Sequence, residues 1–167
     1  MRNGQTEFDL RDAISRSPYT DGNAKLTYLH LLGKDLAMYD TNEPLRMKIR
    51  VHTKKDFDDL RLRLELRYSD DTPVGTMPNV SLGRWRAGET NEYLVDFTPV
   101  SLTNGKYRVD IVLFEMDDVG NSYDEELLLP AFFFEINSRE DIVWNHSTWG
   151  HVRFPDAQVL RLNEEGK

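Results

Sequence analysis

Hydrophobic and polar residues alternate along much of this chain with a period of two, which is the pattern of strands that bury one face. The alternation is strictest in two stretches. Leu45, Met47, Ile49 and Val51 interleave with Arg46, Lys48, Arg50 and His52, and Leu60, Leu62, Leu64, Leu66 and Tyr68 interleave with Arg61, Arg63, Glu65 and Arg67. Residues 24–32 place Leu26, Tyr28, His30 and Leu32 on one face, Gly33-Lys34-Asp35 breaks the strand, and residues 36–39 continue it after a kink or bulge. Residues 70–88 are punctuated by Pro73, Gly75, Pro78, Gly83 and Gly88, so short strands and turns are expected there at most. Tyr93, Val95 and Phe97 mark a further strand that ends at Pro99.

The chain is organised around residues 102–136. Asn104-Gly105 is a turn signal, because both residues tolerate positive φ. Tyr107, Val109, Ile111 and Leu113 then alternate with Arg108, Asp110 and Val112, and after the polar loop 117–124 the apolar run 127–134 makes the second strand of a long hairpin. A tyrosine just after a Gly turn matches the tyrosine corner of immunoglobulin-like sandwiches. Strands spaced by roughly ten residues, with no long helical pattern, predict an all-β fold: an immunoglobulin-like antiparallel β-sandwich with an extra C-terminal strand. On this reading residues 1–21 are a linker or short helix, with Thr6 and Asp9 as caps and Leu10 and Ile14 on one face. Residues 22–137 are the sandwich and residues 138–167 a tail with a docking strand. That strand carries Trp149, Val152 and Phe154, with Gly150 allowing close backbone approach, and the flexible connection 137–141 lets it reach its own sandwich or a neighbour's.

Composition narrows the function. The formal net charge of −8 argues against a sequence-independent nucleic-acid binder, which needs a basic face. The absence of cysteine removes disulfides and thiolate metal sites and suits a reducing cytosol. No apolar run approaches the roughly 20 residues that span a bilayer, and the N-terminus lacks the apolar core of a signal peptide.

Few motifs carry chemistry. The glycines of Gly83-Arg84-Trp85-Arg86-Ala87-Gly88-Glu89-Thr90 have phosphate-loop spacing, but Glu89 stands where lysine is required, so that reading fails. The acidic loop with Asp117, Asp118 and Asp124 matches no calcium-loop spacing. His146 and His151 lack a third ligand, and no nucleophile elbow is present. No cofactor, metal site or catalytic residue is expected. The better signal is aromatic residues in odd places. Val112, Phe114 and Met116 lie opposite Ile111 and Leu113, so the strand is apolar on both faces and needs a cover: a loop, the tail, a second subunit or a ligand. Trp85 between Arg84 and Arg86 suits stacking on a sugar ring, or is an inert surface loop. With Asn121 and Tyr123 at the hairpin tip and Phe114, these residues are the candidate carbohydrate-binding set. Arg63, Arg67, Arg108 and Asp110 form a polar field on one sheet, or are only a solvated outward face, as charged outward faces normally are.

Four segments carry a family resemblance: Asp21-Gly22-Asn23-Ala24-Lys25-Leu26, Asn42-Glu43-Pro44-Leu45-Arg46-Met47-Lys48-Ile49, Asn104-Gly105-Lys106-Tyr107-Arg108-Val109 and Trp149-Gly150-His151-Val152. In their order and spacing, over residues 21–154, the chain resembles the carbohydrate-binding C-terminal domain of polysaccharide ABC-transporter ATP-binding subunits, the Wzt type of O-antigen export. The resemblance implies a non-catalytic module that recognises an exported polysaccharide. It implies a homodimer formed by exchange of a C-terminal strand, and work in the cytoplasm, peripheral to the inner-membrane transporter, beside the ATPase and membrane subunits. The ATPase half and its Walker motif are absent from this sequence. A structural or oligomerisation domain is the alternative, and a carbohydrate-active enzyme the third reading.

Overall fold

The computed structural model describes residues 4–162. In chain order the strands are β1 (Glu7–Asp9), β2 (Ala24–Leu31), β3 (Met38–Tyr39), β4 (Leu45–Thr53), β5 (Phe57–Tyr68), β6 (Pro73–Trp85), β7 (Thr90–Phe97), β8 (Gly105–Met116) and β9 (Ser122–Ile136), followed by a helical turn α1 (His146–Trp149). They make two sheets, ordered β1-β2-β4-β7 and β3-β9-β8-β5-β6. All pairings are antiparallel except β3 with β9. The fold is the β-sandwich that the alternation predicts. Its core holds the inward residues of both sheets: Leu45, Met47, Ile49 and Val51 from β4, Leu60, Leu62, Leu64 and Leu66 from β5, and Tyr107, Val109, Ile111 and Leu113 from β8.

The tyrosine corner is present. Tyr107 is buried and its Oη donates to the Thr103 carbonyl at 2.6 Å, which fixes the turn into β8. Burial pushes this phenol up to about 12.

The strands depart from the sequence expectation in three details. In β2 the register shifts between Leu26 and Tyr28, so Ala24, Leu26, Leu29 and Leu31 point inward while Tyr28 and His30 turn outward. One bulge reverses the face of every residue after it. β3 leaves the sheet of β2 altogether and joins the opposite one beside β9. Residues 73–85 form one long edge strand despite Pro73, Pro78 and two glycines, because an edge strand with repeated register shifts accommodates both residue types.

The N-terminal segment is not helical. β1 pairs with β2, and Phe8 and Leu10 enter the core, Phe8 lying 6.2 Å from Phe132 between ring centres. Ile14, expected on the same helical face as Leu10, is fully exposed. Further on, the Ser17 amide donates to the Leu127 carbonyl and the Leu129 amide to the Ser15 carbonyl, so this segment crosses from one sheet to the other. Buried Glu126 holds the crossing: its carboxylate accepts from Arg16 Nε at 2.9 Å and from the Leu26 amide at 2.9 Å.

The docking strand expected around Trp149, Val152 and Phe154 is not formed as a strand; residues 146–153 pack instead on their own sandwich. α1 is capped by the Asn145 side chain, which accepts from the Thr148 amide, and Val152 makes a single antiparallel bridge with Leu102. Beyond Arg153 the described chain is exposed, Phe154, Val159, Leu160 and Leu162 included.

Candidate functional site

The outward column of β8 runs Arg108, Asp110, Val112, Phe114 and Met116, flanked on β5 by Arg61, Arg63, Glu65 and Arg67 and on β9 by Phe133. Six residues of antiparallel strand separate Phe114 from Arg108, which is roughly 20 Å at about 3.4 Å per residue. At its centre Asp110 Oδ2 lies 3.3 Å from Arg67 Nε and 3.3 Å from Arg108 Nη2. Arg108 Nη1 also reaches Asp71 Oδ1 at 2.7 Å, in the turn after β5. Although these groups sit on an outer face, the Asp110 side chain is only 2% exposed. Its Oδ1 and the Nε of Arg108 are both buried without a hydrogen-bond partner among the described residues. Burial raises the Asp110 carboxyl above the usual range even with the Arg108 and Arg67 guanidiniums opposing the shift. A buried acceptor and a buried donor left without partners are each unfavourable for folding alone.

Arg108 also borders a concavity of about 610 Å³ between β3, β8 and β9, lined by Leu36, Met38, Phe133, Lys106, Asp71 and Glu135 among others. Apolar walls with a few charged groups at the margin are the usual make-up of a small-molecule or sugar pocket. The half-buried ring of Phe133 faces it. The outer face of the other sheet is different in kind. There Arg50 lies over the Tyr28 ring at 4.8 Å, Tyr28 Oη donates to Glu7, and Lys48 and Arg50 both pair with Glu92. No buried unpaired side-chain atom is found on its strands among the described residues.

This sandwich is similar in fold to the C-terminal domain of wzt. The likeness covers 96% of this chain and 93% of that one, with a TM-score of 0.68 and 14% identical residues. Spo0M, a sporulation control protein from Bacillus subtilis, aligns over 70% of this chain and 50% of its own, with a TM-score of 0.42 and 20% identity. No family model matches the sequence, and no curated protein matches it.

The residues singled out from sequence fall into three groups. Trp85 is corrected: it is 1% exposed, pairs across the sheet with Phe57, and donates from Nε1 to the Leu82 carbonyl at 3.1 Å. It has no free face for a sugar, and it closes one end of the core beside Tyr93. Arg84 and Arg86, its neighbours, remain exposed. Asn121 and Tyr123 are exposed at the hairpin tip, where both bond Asp117: Asn121 Nδ2 donates at 2.9 Å and Tyr123 Oη at 3.1 Å. Tyr123 lines a separate acidic cleft with Asp56, Asp58, Asp59 and Glu115. Phe114 is on the outward column but buried at 2%, with the Arg63 guanidinium 4.7 Å above its ring. The second apolar face of β8 is therefore covered in part by the sheet's own arginine. Phe114 supports Arg63 and is not itself a contact surface. The structure thus separates Trp85 from Phe114 and leaves Phe133 as an outward aromatic ring, as the run Phe132-Phe133-Phe134 allows: the flanking residues point inward, so the middle one points out.

Proposed function

We propose that this chain is a non-catalytic carbohydrate-binding domain that recognises a polysaccharide along the outer face of the five-stranded sheet. The observation that carries this reading is the apolar concavity floored by Phe133 with Arg108, Lys106, Asp71 and Glu135 at its margin, Arg108 being held there by the buried Asp110 carboxylate. Sugar hydroxyls donate and accept at once, so a sugar whose apolar ring face lies on Phe133 meets donors in Arg108 and Lys106 and acceptors in Asp71 and Glu135. The column is also longer than a single sugar, which fits a polymer. The likeness in fold to the wzt C-terminal domain supports a role beside the ATPase and membrane subunits of an ABC transporter, at the cytoplasmic side.

A screen of the purified domain against an array of bacterial polysaccharides tests the reading. Retention of a defined glycan, released intact, is the expected result. Failure to bind any glycan, or cleavage of one, overturns it.

Part of the same proposal is that the exposed end of the tail is exchanged between two copies. Phe154, Val159, Leu160 and Leu162 are exposed, and two apolar clefts that share Met77 and Phe97 lie by the free edges of β6 and β7, one lined also by Val80, Tyr93 and Val95 and the other by Val100. Deleting residues 155–167 is expected to convert a dimer into a folded monomer, read by light scattering. A wild-type monomer, or a dimer that survives the deletion, rejects exchange.

A further inference from the structure

His146 and His151 meet on the Tyr68 end of the sandwich. Their Nδ1 atoms are 2.9 Å apart, and both rings stack on Tyr68, with ring centres 4.1 and 4.5 Å away. The outer nitrogens are also engaged. His146 Nε2 is 2.7 Å from the Asn104 carbonyl, and His151 Nε2 is 2.8 Å from Thr72 Oγ1, which in turn donates to Asp70 Oδ1 at 2.6 Å.

These contacts fix the proton count. A carbonyl only accepts, so His146 carries its proton on Nε2, and its Nδ1 accepts from the Nδ1–H of His151. A first added proton has a place on His151 Nε2, where it donates to the Thr72 hydroxyl and the chain ends on the Asp70 carboxylate. A second added proton has none. The only remaining lone pair is His146 Nδ1, and protonating it sets two N–H groups against each other across 2.9 Å. The titratable groups facing the pair are Tyr68 from β5, Tyr107 from β8 with its ring centre 6.5 Å from His146, and Asp70 from the turn between β5 and β6. Only Asp70 offers a negative charge near neutrality, and it favours one cation, not two.

We propose that His146 and His151 form a proton-operated latch that holds residues 144–153 on the sandwich and releases them when both rings are protonated. What the latch holds is visible in the backbone: the Thr103 amide donates to the His151 carbonyl and the Arg153 amide to the Ser101 carbonyl. Burial and the neighbouring His146 hold the His151 imidazole below the ordinary histidine range, Asp70 pulling the other way. The docked segment therefore binds protons less readily than the released one. Docking is fully favoured above the unperturbed value, about 6.5, and weakens as the pH falls below it. Release frees the segment through Arg153 and uncovers Tyr68, whatever the domain binds elsewhere.

Amide hydrogen exchange by NMR between roughly pH 8 and pH 5 tests this. After correction for intrinsic exchange, protection of Thr103 and Arg153 is expected to be level above about pH 6.5 and to fall below it by up to about tenfold per pH unit. Core amides such as Ile111 stay protected throughout. In the same samples, the His151 ring-nitrogen shifts should titrate below the ordinary histidine range. In His146→Gln the fall in protection should become shallower, since glutamine takes no proton and only His151 is left to bind one. Level protection at Thr103 and Arg153 down to pH 5, an ordinary His151 titration, or an unchanged fall in His146→Gln overturns the latch.

Discussion

Replacing Trp85 with alanine is expected to destabilise the domain by about 3–5 kcal/mol, the range for removing a buried large aromatic side chain. The ring is 1% exposed and lies in the core between Phe57 of β5 and Tyr93 of β7. Its Nε1 and the Tyr93 hydroxyl both donate to one acceptor, the Leu82 carbonyl, at 3.1 and 2.6 Å. Truncation thus opens a cavity and removes one of two bonds to that carbonyl. Chemical denaturation reads the effect directly, as a fall in midpoint with unchanged slope. A loss under about 1 kcal/mol contradicts the core role and restores a surface one.

Glu126→Ala is expected to be as damaging, about 3–5 kcal/mol, for an electrostatic reason. The Glu126 side chain is 1% exposed and accepts from Arg16 and from the Leu26 backbone amide. Removing it leaves the largely buried Arg16 guanidinium without its counter-charge, although Nη1 and Nη2 keep the Arg11 and Leu26 carbonyls, and leaves the buried Leu26 N–H without a partner. The exposed Arg153–Asp141 pair is the control: at 2.7 Å it is as short as the buried pair, but solvent screens it. Asp141→Ala should therefore change stability by no more than about 1 kcal/mol. Equal effects at the two sites contradict this account.

The sheets were legible in the sequence wherever alternation ran unbroken. β4, β5 and β8 each keep one unbroken period, β8 being buried on both faces over residues 109–114, so fold class and most of the core follow from them. The failures have local causes. A bulge in β2 costs no composition signal, yet it reverses the facing of Tyr28 and His30. The prolines and glycines of β6 punctuate a central strand but not an edge one, and edge position is a property of topology. Trp85 looked like a surface ring because arginines flank it. In a strand those neighbours point the opposite way, so they mark it as inward-facing. The polar field of Arg63, Arg67, Arg108 and Asp110 was legible as a set, because these residues share the parity of their strands. That two of its buried atoms lack partners depends on distances between β5, β8 and the turn after β5, which no sequence spacing records.

The central claim is that the outer face of the five-stranded sheet, and not that of the four-stranded one, holds the glycan. Calorimetric titration of a bound polysaccharide into wild type, Phe133→Ala and Tyr28→Ala tests it most directly, since the two aromatic residues sit on opposite outer faces. The account expects Phe133→Ala to lose about 1 kcal/mol or more of affinity, at least about fivefold in Kd, with Tyr28→Ala equal to wild type. The reverse result, with Tyr28→Ala weakened and Phe133→Ala unaffected, contradicts it.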